Sequence, residues 1–176
     1  KSDANALIYG ETGTGKELFA KSIHLNSNRC SNPFITIDYT SLPHSLAESI
    51  LFGHVKGAFT GADKTRTGRF EQAGGGTLFL DEFCELSFGL QAKLLRAIEQ
   101  KSFERLGSNK TIQADTRIIA ATNRDIETLV RTGKFREDLY YRINVLRIHM
   151  PPLRERFECI EPLAHYLLKK LIRSVK

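Results

Sequence analysis

The sequence predicts an α/β fold, a mostly parallel sheet with helices on both faces. Three observations predict it. Short apolar runs with strand character alternate with stretches of helical periodicity from one end of the chain to the other. A glycine-rich segment, "GETGTGKE" (10–17), lies where the first such run gives way to a helix. A second apolar run, "GTLFLDE" (76–82), ends in two acids. In such sheets ligands sit at the carboxyl ends of the strands, so both motifs fall where chemistry is expected.

The elements follow in order. "ALIYG" (6–10) is a short buried-strand signal, and "KELFAKSIHLNS" (16–27) reads as the helix after it. "PFITID" (33–38) is strand-like and β-branched, and "SLAESILFG" (45–53) is a short helix. "GTLFLDE" is the cleanest buried strand. "FGLQAKLLRAIEQ" (88–100) sets Leu90, Leu94, Leu95 and Ile98 at helical spacing. "TRIIAATN" (116–123) is a strand, "DIETLVRTGKF" (125–135) and "REDLYYRI" (136–143) look helical, and "VLRIHM" (145–150) closes with a strand. "PPLRER" (151–156) breaks the pattern. From Ile160 to Lys176 a last helix carries Leu163, Leu167, Leu168 and Leu171 on one side.

A chain of 176 residues can bury one sizeable core. No apolar run approaches the length of a membrane span, and the N-terminus lacks a signal-peptide pattern. Cys30, Cys84 and Cys159 are odd in number, far apart and in no CxxC spacing, which points to reduced thiols and a cytoplasmic protein. No zinc spacing is present. The net charge of +6 is scattered among acids, with no helix-turn-helix, zinc-finger or RNP pattern beside it. It reads as solvated surface plus phosphate-binding groups, so any contact with DNA is expected to be indirect.

"GETGTGKE" fits the phosphate-loop spacing GxxxxGK. Gly10, Gly13 and Gly15 let backbone N–H groups turn inward, and Glu11, Thr12 and Thr14 complete the cradle. Lys16 is placed to reach the β- and γ-phosphates of a nucleoside triphosphate. Glu17 stands where many such loops carry Ser or Thr for Mg²⁺; it could meet the ion directly, through water, or not at all. Asp81 and Glu82 at the end of an apolar strand form a Walker B arrangement. Asp81 would hold Mg²⁺, commonly through water, and Glu82 would orient the attacking water. Asn123, just past another strand end, could help position that water. Arg136 and Arg142 fall two helical turns apart, roughly on one face; they are surface partners of Glu137 and Asp138, or arginine fingers.

"GHVKGAFTGAD" (53–63) poses a separate problem, a phenylalanine in a segment too glycine-rich for a good helix or strand. Burying a Phe side chain is worth roughly 1.5–3 kcal/mol. Either the loop folds back over Phe59, or Phe59 is kept for a partner.

Taken together, "GETGTGKE", "LFGHVKGAFTGA", "GRFEQAGGGTLFLDE", "LQAKLLRAIEQ", "RIIAATN", "FREDLYYRINV" and "PPLRER" resemble the central AAA+ ATPase domain of bacterial sigma-54-dependent transcriptional activators. The Walker motifs are widely shared; the hexapeptide Gly57–Ala58–Phe59–Thr60–Gly61–Ala62 is far more specific. The resemblance implies a P-loop NTPase of AAA+ type that uses ATP and Mg²⁺ in a hexameric ring. It implies that Phe59 and Thr60 tip a loop contacting sigma-54 of the RNA polymerase holoenzyme. A second loop is expected near Arg105–Gln113. Arg136 and Arg142 match arginines that complete a neighbour's site. Asp38 stands where many members have an Asn relaying nucleotide state to the Walker B glutamate. Val55, Phe157 and Cys159 also depart from the usual pattern, whereas Glu17 is normal for the family. Residues 1–156 would form the nucleotide-binding core and 157–176 the start of a helical lid. The regulatory and DNA-binding domains of the family are not in this chain. Two other readings stand beside this one: a different AAA+ motor of chelatase or helicase type, and a nucleotide-holding module without turnover.

Overall fold

The computed structural model describes residues 2–174. Its centre is a five-stranded sheet built from β1 (Ala6–Tyr9), β2 (Phe34–Asp38), β5 (Thr77–Asp81), β8 (Arg117–Thr122) and β9 (Leu146–His149). The order is β2-β5-β8-β1-β9, and every neighbouring pair is parallel. The carboxyl ends of β1, β5 and β8, which lie side by side, therefore open on one edge.

Alternation along the strands divides the core between two faces. Leu7, Leu78, Leu80, Ile118 and Ala120 pack with residues of α2 (His44–Phe52), α4 (Phe88–Gln100) and α6 (Glu137–Ile143). Ala6, Ile8, Phe79, Ile119 and Ala121 meet Ala20 of α1 (Lys16–Leu25) on the other face. In β8 every residue is buried, as expected for an inner strand covered on both sides.

Local signals set the helix ends. Ser87 caps α4 by accepting from Leu90 N–H, and Asp125 caps α5 (Ile126–Arg131) by accepting from the N–H groups of Glu127 and Thr128. The helix expected over 125–135 stops at Arg131. There the chain turns through Gly133, and the N–H groups of Lys134 and Phe135 return to the Leu129 carbonyl. The helix expected over 16–27 ends at Leu25, where Asn26 donates to the Ser22 carbonyl through both its backbone and its side chain. The last helix, α7, spans Ile160–Ser174; the remaining two residues of the expected 160–176 lie outside the described residues.

Three features fall between the expected elements. A two-residue antiparallel pair joins β3 (Gly53–His54) to β4 (Arg66–Thr67) and is followed by the single-turn α3 (Arg69–Gln72). A hairpin pairs β6 (Ser102–Glu104) with β7 (Thr111–Gln113). The two excursions meet: Val55 N–H donates to the Leu106 carbonyl at 3.1 Å, and Leu106 N–H to the Gly53 carbonyl at 3.0 Å.

Candidate nucleotide and partner sites

The loop after β1 is built by backbone geometry. Gly15 caps α1 in the left-handed region at φ 91°, where a residue with a Cβ is strained. Thr14 Oγ1 donates to the Glu11 carbonyl at 2.8 Å, which tightens the turn. Lys16 is only 6% exposed. Its Nζ donates to the carbonyls of Gly10 (3.0 Å) and Glu11 (3.2 Å) and lies 3.6 Å from Glu82 Oε1. The ammonium is thus held inside the loop, with capacity left for an anion.

Glu82 adopts φ 49°, ψ 44°, a left-handed conformation that costs a non-glycine residue of order 1–3 kcal/mol. Three bonds fix the neighbourhood. Glu82 N–H donates to Asp81 Oδ1 at 3.1 Å, Asn123 N–H donates to Glu82 Oε2 at 3.1 Å, and Asn123 Nδ2 donates to Thr12 Oγ1 at 3.0 Å. The ends of β5 and β8 are thereby tied to the phosphate loop. Burial pushes the Asp81 carboxyl above its ordinary range; the Glu82 N–H partly offsets this, while the Glu82 charge adds to it. Burial also lifts the Cys84 thiol to about 12, so that thiol stays protonated.

Asp38 lies level with Asp81 across the β2–β5 pair. Its Oδ1 accepts from Thr40 N–H (2.9 Å) and Thr40 Oγ1–H (2.7 Å), which starts a single 3₁₀ turn. It shares a cleft of about 360 Å³ with Thr12, Asp81, Glu82 and Asn123. Glu17 is exposed in the first turn of α1.

Arg136 and Arg142 are not brought onto one face. Arg136 precedes α6 as its cap, forks onto Asp138 (2.6 and 3.0 Å) and lies over the Phe88 ring at 5.4 Å. Arg142, in the last turn, lines a separate cleft with Asn5 and Arg117. Six positions at 3.6 residues per turn leave them about 120° apart around a helix. Neither arginine lines the Glu82 cleft of its own chain.

Two arginines that the sequence reading passed over do reach the phosphate loop. Arg154 forks onto the Glu11 carboxylate, and this hydrogen-bonded pair holds Glu11 below its ordinary range. Arg156 Nη2 donates to the Thr14 carbonyl at 2.7 Å. The available signal was "PPLRER": a proline-fixed segment just beyond the last strand, with two arginines at alternate positions.

Residues Gly57–Ala62 form a turn closed by Gly57 N–H to the Ala62 carbonyl (2.9 Å) and Ala62 N–H to the Phe59 carbonyl (3.0 Å). Thr60 is exposed and Ala62 buried, with Phe59 between these extremes, its ring edge-to-face with His54 at 5.0 Å. Behind this turn, Arg105 forks onto Glu71 at 2.8–3.1 Å, linking the β6–β7 excursion to α3.

Known proteins share this fold. The model of the sigma-54 interaction domain family matches residues 1–149. A Nif-specific regulatory protein of Azotobacter vinelandii is 57% identical over 99% of this chain and 33% of its own length. The chain thus spans about a third of the curated relatives it matches. Among solved structures, NtrX from Brucella abortus in complex with ADP superposes with a TM-score of 0.88 at 36% identity, over 96% of this chain and 36% of that one. The P-loop NTPase domain of a sigma-54 transport activator from E. coli shares the fold at a TM-score of 0.57 and 21% identity, over 87% of each chain. A P-loop NTPase fold with this arrangement of motifs, matched by the family model over most of its length, belongs to the sigma-54 interaction domain family.

Proposed function

We propose that this domain hydrolyses ATP and uses the cycle to remodel sigma-54 RNA polymerase holoenzyme through the Gly57–Ala62 loop. The observation that carries the reading is the convergence of Lys16, Glu82, Asn123 and Thr12 at the carboxyl edge of the sheet. Lys16 and the loop amides bind the phosphates. Glu82, fixed by Asn123, takes the attacking water by hydrogen bond and draws its proton. Asn123, tied to Thr12 of the phosphate loop, helps to position that water. Asp38, in the same cleft, relays nucleotide state to Glu82.

The residues fit Mg²⁺. Among the described residues no three Asp, Glu, His or Cys converge as a complete cage. That suits an ion usually held by one or two carboxylates together with substrate phosphates. Asp81, whose burial disfavours its charge, is the residue to hold it, through water. When bound, the ion draws charge from the phosphate oxygens.

Arg136 and Arg142 lie away from their own chain's Glu82 cleft, so in our reading they act on a neighbour in a ring, a hexamer in the complete protein. Residues 157–174 begin the lid, and Arg154 and Arg156 join it to the phosphate loop. The test uses the full-length protein with purified sigma-54. ATP-dependent phosphate release, together with capture of sigma-54 in ADP–aluminium fluoride, supports the reading. Nucleotide binding without turnover, or turnover without capture, overturns it.

A further inference from the structure

We infer that His54 is the seat of Phe59: a positioning residue that holds the partner-contacting loop down until it is released. The inference rests on the proposed role of the Gly57–Ala62 loop and assigns that loop its resting contact.

His54 is 8% exposed and sits at the end of β3, directly after α2. Its Nδ1 is hydrogen-bonded to Ser49 Oγ at 2.7 Å, and Ser49, on α2, is itself 4% exposed. A buried bond to a helix-borne hydroxyl stops the imidazole from turning. The ring therefore presents a fixed surface, and Phe59 stands on it at 5.0 Å with the planes 64° apart. Aromatic pairs of this geometry are individually weak. Such a contact can hold a loop at rest and still yield to a larger driving force.

A second contact backs the loop from the other excursion. Gly107 has φ +75°, and a Cβ built there would lie 2.8 Å from Ala58 Cβ, 3.0 Å from Ala58 Cα and 3.1 Å from Val55 Cγ2. Ala58 immediately precedes Phe59. The turn bearing Gly107 is tied to the seat by the bridge between His54 and Leu106. Seat and backstop thus lie on two paired segments of backbone, and movement of the β6–β7 excursion would disturb both together. Phe59 is half-buried, with the His54 ring part of its cover.

The test is chymotrypsin cleavage after Phe59 in the full-length protein, read by mass spectrometry and normalised to cuts elsewhere in the chain. His54→Ala is expected to raise the Phe59 cut about two- to twelvefold, the range an aromatic pair supports. His54→Phe, which keeps a ring but loses the Ser49 bond, should cut faster than wild type and more slowly than His54→Ala, as should Ser49→Ala. Gly107→Ala, which crowds Ala58 from behind, should also raise it. In His54→Ala, capture of purified sigma-54 should begin to appear without nucleotide. A wild-type cutting rate in both His54→Ala and Gly107→Ala overturns the seat, as does His54→Phe cutting as fast as His54→Ala. Should His54→Ala fail to fold, Gly107→Ala and Ser49→Ala decide, and unchanged cutting in both overturns it. Faster cutting in the variants, with no protein capturing sigma-54 under any nucleotide, upholds the seat and sinks the proposed partner.

Discussion

Lys16 of α1 and Glu82 at the end of β5 meet at 3.6 Å, with their side chains only 6% and 14% exposed. The lysine is bonded to two loop carbonyls and the glutamate to the Asn123 amide. Each is pinned by backbone groups rather than by the other, so each can be removed separately. Lys16→Ala deletes a charge-assisted phosphate contact and is expected to weaken nucleotide binding about 10- to 150-fold. Glu82→Gln keeps the shape and loses the base, so binding should persist while hydrolysis falls about 10²–10⁴-fold. Nucleotide titration and single-turnover phosphate release separate the two. Equal turnover in wild type and Glu82→Gln would refute the role given to Glu82.

Asp81 carries a stability cost. Its folded pKa lies above the ordinary 3.8, chiefly through burial. The unfolded chain therefore ionises first as pH rises, and the penalty on the folded anion is absent below 3.8 and complete above the folded pKa. Asp81→Asn retains the oxygen that accepts from Glu82 N–H and removes the charge. Without nucleotide at neutral pH it should melt higher, at roughly 2–4 °C per kcal/mol for a chain of this size. The gain should vanish as pH falls toward 3.8. Hydrolysis should be lost at the same time. A lower melting point than wild type at neutral pH would show that Asp81 is stabilised, not strained, by its surroundings.

The sheet and the phosphate loop were legible because their signals are local. β5 and β8 are continuous apolar runs, and the P-loop glycines have a fixed spacing between strand and helix. The β3–β4 and β6–β7 pairs were not, since strands of two or three residues are too short to show a period. The Arg154–Glu11 fork joins residues 143 positions apart, and no local rule foresees it. The common face expected for Arg136 and Arg142 is absent for a narrower reason. Residues six apart are not neighbours on a helix face, where i,i+3 and i,i+4 meet, and Arg136 here only caps α6. Phe59 posed two alternatives, core or partner. Its burial lies between them, and one contact, with His54 five positions away and bonded to Ser49 of α2, is not visible in a local pattern.

The separation of those two arginines makes the trans reading testable residue by residue. Arg136 is held by Asp138 beside Phe88, while Arg142 lines the cleft near Asn5. If both act on a neighbour's nucleotide, specific ATPase activity of the full-length protein should rise with protein concentration. An arginine finger contributes about 10³–10⁵ in rate. Mixing Arg142→Ala with Glu82→Gln should recover activity at the junctions where an intact Glu82 faces an intact Arg142. Arg136→Ala should be rescued in the same way. A concentration-independent rate from a proven monomer would contradict the assignment for both.

Phe59 and Phe70 provide a matched pair for the last prediction. Phe70 is 1% exposed and packs between the rings of Phe52 and Phe103. Phe59 stacks edge-to-face on His54 and is less fully buried than Phe70. Truncating a core phenylalanine costs about 3–5 kcal/mol. Phe70→Ala should therefore lower stability by that amount in urea unfolding. Phe59→Ala gives up only part of a burial worth roughly 1.5–3 kcal/mol, so about 1 kcal/mol is expected. Its larger effect should fall on the partner: sigma-54 capture in ADP–aluminium fluoride should be lost in Phe59→Ala, and Thr60→Ala, exposed beside it, should lose it as well. Capture has to be expressed per folded molecule, with Phe70→Ala at matched folded fraction as the comparison. If Phe59→Ala costs as much stability as Phe70→Ala and leaves capture per folded molecule unchanged, Phe59 belongs to the core and the loop has lost its proposed contact.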